Sequence, residues 1–216
     1  LETPHKIFER ENKGKVKNIM DIIYVAYNSE KWIDRCFSSL LRSTDFNLKE
    51  INVYVVDNAS TDNTVEKLRQ AKTELEESIG GFEIIESGKN LGFGRGNNLG
   101  FRKGNSDIVC FFNIDTEVLD TTLLELMKAV NESDKNTAMW ELRQFPYEHP
   151  KIYDPVTQEA QWSSGAAFAI RREVYKQLGG FDEKIFMYGE DVDLSWRLRS
   201  FGWKIRYVPK SVIMHY

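Results

Sequence analysis

Four short apolar runs limit what this chain can fold into. Residues 21–26, 51–56, 82–85 and 108–112 are rich in Ile, Val, Tyr and Phe, and none exceeds six residues. Runs of that length, bounded by polar turn residues, read as buried strands. Between them the apolar residues recur at helical spacing. Trp32, Ile33, Cys36, Phe37, Leu40 and Leu41 form one stripe, and Val65, Leu68 and Leu75 suggest another. Asn28 or Ser29 would cap the first helix, and Ser60 and Asp62 the second. A short helix is expected near 97–103. Alternating strands and helices predict an α/β fold, a Rossmann-like, mostly parallel central sheet flanked by helices.

The rhythm changes after Asp115. Leu123, Leu124, Met127 and Val130 predict one more helix, and residues 166–170 a strand. Residues 190–201 read as a helix with Leu194, Leu198 and Phe201 on one face, and 204–208 and 212–214 as two closing strands. Residues 141–163 carry Pro146, Pro150 and Pro155 and read as irregular; so long a loop in a compact domain is usually functional. Residues 6–18 are polar and Lys-rich, so 1–18 is expected to be an arm or linker and 19–216 the folded domain.

Net charge is −4, which argues against nucleic acid as the main partner. No apolar run approaches the roughly 18 residues of a membrane span. Cys36 and Cys110 each sit in an apolar stretch and read as buried thiols, which points to a cytoplasmic setting.

The candidate chemistry lies where strands end. Ligands of parallel sheets bind beyond the carboxyl ends of strands, and Asn113-Ile114-Asp115 directly follows the fourth run. Two polar residues separated by one position can point into the same crevice. A hard divalent cation bridging diphosphate oxygens takes few ligands from protein. Asp115 could equally cap the next turn. His215, after Val212-Ile213-Met214, is the candidate second ligand, and equally fits a satisfied histidine at a strand end. Glu190, Asp191 and Asp193 fall in a first helical turn, where acids complement the helix dipole. The apolar Phe186, Met187 and Tyr188 before them make a wall that can hold a carboxylate at a useful pKa. Asp57 ends the second strand and could meet a nucleoside or merely cap a helix. The stretch 90–98 has Gly92 and Gly94 but Asn97 where a dinucleotide fingerprint needs its third glycine, and it follows the third strand rather than the first.

The order and wording of these motifs carry more than any one of them. Residues 55–64, 90–98, 112–116, 179–183 and 186–194 together closely resemble the family 2 glycosyltransferases, nearest the rhamnosyltransferase-like branch, over roughly 19–216. The resemblance implies a GT-A fold with a nucleotide-binding half, about 19–116, and an acceptor-binding half, about 117–216. It implies an inverting, metal-dependent transfer of sugar from a UDP- or dTDP-linked donor to a saccharide or lipid-linked saccharide acceptor. Ala26, Tyr27 and Asn28 would form the first nucleotide loop, and Asp57 would contact the base or ribose. Asn90, Gly94, Arg95 and Asn98 would belong to the same nucleotide-sugar site. Asn113-Ile114-Asp115 matches the family's D-x-D motif with Asn in first place. Asn113 would sit near the ribose, and Asp115 with His215 would hold Mn²⁺ or Mg²⁺. Asp191 matches the general base, and Glu190 would orient it or meet the acceptor. Trp162-Ser163-Ser164-Gly165 would line the acceptor side, Trp162 and Gly165 above all.

Two other readings fit the sequence less well. A nucleotidylyltransferase would want a basic glycine-rich loop after the first strand, where this chain has Tyr27-Asn28-Ser29-Glu30. An inactive scaffold would have no need of Asp115, Asp191 and His215 together. The chain begins at Leu1 and stops one residue after His215, so it is expected to be part of a longer transferase, other parts of which could bring it to the inner face of the membrane.

Overall fold

The computed structural model describes residues 19–150 and 152–216, so the expected arm lies outside the described residues. The elements in chain order are β1 (Met20–Ala26), α1 (Glu30–Leu41), β2 (Ile51–Asp57), α2 (Thr64–Leu75), β3 (Gly81–Glu86), α3 (Phe93–Phe101), β4 (Ile108–Phe112) and β5 (Thr116–Val118). There follow α4 (Thr122–Glu132), β6 (Thr137–Phe145), β7 (Glu159–Ala160), β8 (Ala167–Arg171), α5 (Arg172–Gln177), α6 (Glu190–Ser200) and β9 (Lys204–His215).

All nine strands join one sheet in the order β3-β2-β1-β4-β8-β6-β9-β5, with β7 also on β9. Strand alternation sorts its side chains into two layers. Ile22, Tyr24, Val53, Val55, Cys110 and Phe112 face α1, α2 and α4 through residues such as Ile33, Phe37, Leu68 and Leu126. Ile23, Val109, Phe111, Phe168 and Ile170 pack on the other face with Tyr175, Leu194 and Leu198 of α5 and α6. Phe111 lies 4.8–5.4 Å, centroid to centroid, from Phe168, Tyr175 and Phe181. Each such buried ring contributes about 1.5–3 kcal/mol relative to exposure.

The sheet is mixed: β3, β2, β1 and β4 run parallel as expected, and mostly antiparallel pairings join the strands beyond them. β1 pairs in parallel with β2 and β4, and β2 with β3. Beyond β4 the direction reverses, because β8 is antiparallel to both β4 and β6. The two closing runs are one strand, β9, parallel to β6 and antiparallel to β5 and β7. β6 occupies the first five residues of the stretch expected to be irregular, and its side chains are mostly buried. In the remainder, Asp154 accepts the Val156 and Thr157 N–H groups, and Tyr153 packs on Tyr207 of β9. Phe201, expected on the packed face of α6, caps its C-terminus and is exposed.

Asp21 of β1 is fully buried at the far end of the sheet from the candidate site. It accepts from Ser106, Asn52 and Arg172, tying β2, the turn before β4 and the start of α5 together. Cys36 and Cys110 are buried free thiols, as their surroundings predict, and burial pushes both thiols up.

Candidate active site

The antiparallel placement of β8 builds the cleft. Phe112 pairs with Ala167, so the residues after β4 lie against those before β8, and the Asn113 N–H donates to the Ala166 carbonyl at 2.8 Å. Because Thr116 pairs with His215, the end of β9 is held beside Asp115, whose carbonyl accepts the Tyr216 N–H. Tyr216 stacks on Trp32 of α1 and donates its hydroxyl to Glu117. The N-terminus of α6 closes the remaining side. The result is a cleft of about 530 Å³, within the usual range of ligand sites.

Ten of the sequence-predicted residues line it: Tyr27, Asn28, Asn90, Asn113, Ile114, Asp115, Gly165, Glu190, Asp191 and His215. Asn28 adopts φ 49°, held by the β2–α2 turn: its N–H donates to Ser60 Oγ and its Oδ1 accepts the Thr61 N–H. Asp62 caps α2 through Thr64, and its other oxygen accepts Glu30 N–H at the start of α1.

The acceptors in the cleft are unevenly satisfied. Asn113 Oδ1 and Asp115 Oδ1 are buried and have no hydrogen-bond partner. Burial raises the Asp115 carboxyl above its ordinary value, and His215 opposes that rise. His215 Nε2 lies 3.6 Å from Asp115 Oδ1, beyond hydrogen-bond length, while its Nδ1 lies 3.0 Å from Gln144 Oε1. Two buried oxygens with no donor and a nearby imidazole nitrogen form a donor set that fits a hard divalent cation whose other ligands come from a diphosphate. The described residues contain no cluster of three or more His, Cys, Asp or Glu side chains that could hold a metal without such help.

The acidic turn resolves into three roles. Asp193 pairs with Arg197 one turn along the helix, a structural contact. Asp191 accepts Gly165 N–H through Oδ2 and Val192 N–H through Oδ1, both at 2.8 Å, so its carboxylate is fixed against the loop before β8. Glu190 is buried, its Oε2 has no hydrogen-bond partner, and burial, with Asp191 adding to it, raises its carboxyl. Tyr188 stands just before them at φ 69°, an unusual conformation for a non-glycine residue, with its side chain exposed over the cleft.

Six expected site residues do not line the cleft. Ala26 is fully buried, and its carbonyl accepts Asn58 N–H. Asp57 is buried and accepts Ser60 N–H, the turn-capping alternative. Asn98 is held in the core by Tyr175 and Phe181. Gly94 packs on Phe181, and Arg95 donates to the Glu183 carbonyl. The glycine stretch thus brings the backbone close to the chain itself: Gly92, at φ 80°, abuts the Phe186 carbonyl, which accepts Phe93 N–H. Trp162 sits beside His149, ring centroids 6.1 Å apart. His149, to which the sequence assigns nothing, does line the cleft, as do Trp32, Asn58, Phe93 and Ser164. Asn58, Phe93 and Ser164 lie within stretches that the family resemblance singles out, whereas nothing local marks His149 or Trp32 as cleft residues; strand order brings those two in.

Known proteins share both wording and fold. The chain is 26% identical over 245 aligned positions to the N-acetylglucosaminyl-diphospho-decaprenol L-rhamnosyltransferase of Mycobacterium tuberculosis, covering 92% of this chain and 76% of the relative. A 55-residue segment is 38% identical to rhamnosyltransferase WbbL of Escherichia coli, covering 26% of this chain and 21% of that relative. The mannosyltransferase PcManGT of Pyrobaculum calidifontis, solved with GDP-Man and Mn²⁺, superposes with a TM-score of 0.76 at 18% identity over 98% of this chain and 63% of its own. TarS 1-349 of S. aureus with UDP-GlcNAc superposes at 0.70 and 18% identity, over 90% of this chain and 57% of its own. These likenesses establish the GT-A fold, and the chain spans just under two thirds of the archaeal structure. The sequence profile of Glycosyl transferase family 2 matches residues 21–193, most of the chain, and the chain belongs to that family.

Proposed function

We propose that this glycosyltransferase domain moves a sugar from a UDP- or dTDP-linked donor, rhamnose among the candidates, to a saccharide hydroxyl with inversion. One observation carries the reading: a single cleft holds the unpartnered oxygens of Asn113 and Asp115 beside His215 and, on α6, the fixed carboxylate of Asp191. The acceptor hydroxyl attacks the anomeric carbon, its proton passes to Asp191, and the bond to the diphosphate breaks. One displacement leaves the configuration inverted. Asp115 and His215 would hold Mn²⁺ or Mg²⁺, which when bound neutralises charge on the leaving diphosphate. Tyr27, Asn28 and Asn90 would hold the nucleoside. Asp57 would act on it through the Ser60–Asn28 contacts. Glu190 lines the cleft with its Oε2 unpartnered, which favours contact with the acceptor over orienting the base.

The mycobacterial relative's name specifies a polyprenyl-diphosphate-linked acceptor, and a lipid-linked saccharide is the acceptor class proposed here, used in surface polysaccharide synthesis at the inner face of the membrane. No helix among the described residues is long and apolar enough to cross a membrane. Calorimetry of UDP and dTDP, with Mn²⁺ and with chelator, tests the donor site. Equal affinity in both conditions, or no loss of the metal-dependent part in Asp115→Ala, would refute the metal-bridged reading.

A further inference from the structure

We propose that Gln144 is a positioning residue that sets the tautomer of His215. It rests on the reading of Asp115 and His215 as the metal-holding pair. Gln144 lies on β6 and is 2% exposed. The β6–β9 ladder is irregular next to it: one step on β6, from Leu142 to Arg143, spans four on β9, from Val208 to Val212. That shift pairs Gln144 with Ile213 and leaves it within reach of His215.

Gln144 Oε1 lies 3.0 Å from His215 Nδ1. An amide oxygen only accepts, so Nδ1 carries the proton and donates. A neutral imidazole protonated there has a bare lone pair at Nε2. Nε2 lies 3.6 Å from Asp115 Oδ1, itself buried with no hydrogen-bond partner. Two acceptors then face each other across a short gap, which is unfavourable alone and favourable when a cation takes both. A hydrogen-bonded outer residue of this kind orients a metal-ligating histidine and fixes its tautomer. The opposite amide orientation would give Gln144 Nε2, buried without a partner in this one, an acceptor at Nδ1, and would put the proton on His215 Nε2 to make an Asp–His pair. The 3.6 Å separation is too long for that donation and would leave the Asp115 oxygen unsatisfied just the same.

Long-range ¹H–¹⁵N spectra of metal-free protein, at a pH where the imidazole is neutral, read which nitrogen bears the proton. We expect Nδ1. Gln144→Leu should shift the tautomer toward Nε2 and weaken the Mn²⁺-dependent part of UDP binding about 10- to 100-fold. Gln144→Glu keeps an acceptor in place and should restore both. A proton on Nε2 in the unaltered protein overturns the proposal, as does a Gln144→Leu protein with tautomer and metal-dependent affinity both unchanged. If Gln144→Leu does not fold, the unaltered protein and Gln144→Glu decide. UDP binding that never depends on metal refutes the metal-pair reading instead, and the tautomer measurement, needing neither metal nor nucleotide, still decides the role of Gln144.

Discussion

Replacing Asp191 by Asn separates chemistry from architecture. The Asp191 carboxylate accepts two backbone N–H groups, Gly165 through one oxygen and Val192 through the other. An Asn side chain has one acceptor oxygen, so one N–H must face an amide NH₂. Loss of a hydrogen bond to a charged group costs about 1.5–3 kcal/mol. At about 2–4 °C per kcal/mol for a domain of this size, the Tm should fall by roughly 3–12 °C. Transfer should fall far more, by about 10²–10⁴-fold, because the proton acceptor is gone. That is about 2.7–5.5 kcal/mol of barrier. Donor affinity should barely move, since Asp191 is held by Gly165 and Val192 while Asp115 and His215 lie beside each other. Single-turnover transfer with saturating donor, well below the Tm, isolates the chemical step, and NMR of the product gives its anomer. Near-normal transfer by the variant removes Asp191 from the base role. Donor affinity falling in step with the rate would make its role structural. Retained configuration would refute the single displacement itself.

Gly92→Ala places a Cβ against the Phe186 carbonyl in a glycine-only conformation, so it should cost more than about 2 kcal/mol and disturb the wall at 186–188. Gly88→Ala, also at positive φ but with open space around it, is the control, and equal Tm losses in the two would show that the Phe186 contact is immaterial. The raised Glu190 carboxyl is protonated to higher pH in the folded than in the unfolded chain, so it adds stability as pH falls through the interval between the two values and loses that contribution above it. Glu190→Gln should therefore raise the Tm at neutral pH, by an amount that shrinks toward acid pH in calorimetric scans. If Glu190 meets the acceptor, the same variant raises acceptor KM about ten- to hundredfold. Asp57→Ala frees Ser60 N–H and loosens the turn that holds Asn28. UDP affinity should fall about tenfold; a lowered Tm with unchanged affinity would make Asp57 a cap alone.

Much of this was legible locally. The strands β1 to β4 follow from short β-branched and aromatic runs, and α1 and α2 from apolar residues at helical spacing, because burying one face is a local demand on the chain. Asn113 and Asp115 were placed by the rule that parallel strands end at a crevice. Glu190 and Asp191 stood out because three acids gather in one helical turn behind apolar residues. The glycine stretch was legible only in part, for a physical reason. Glycines mark close approach of backbone but do not say to what: Gly94 and Gly92 meet Phe181 and Phe186, while Asn90, Gly92 and Phe93 line the cleft.

By itself, then, the sequence determined the alternating elements, the family and most of the polar residues at strand and helix ends, since period, length and capping act over a few residues. Only the tertiary structure decided the direction of β8, the continuity of β9 and the register shift beside Gln144. Those features depend on pairings between residues distant in sequence: Phe112 with Ala167, Thr116 with His215. They bring Asp115, Gly165, Asp191 and His215 around one cleft and leave Asp57 and Asn98 in the scaffold. A side chain's role here depends on whether a neighbour already satisfies it, and that neighbour is chosen by strand pairing, which no local stretch of residues records.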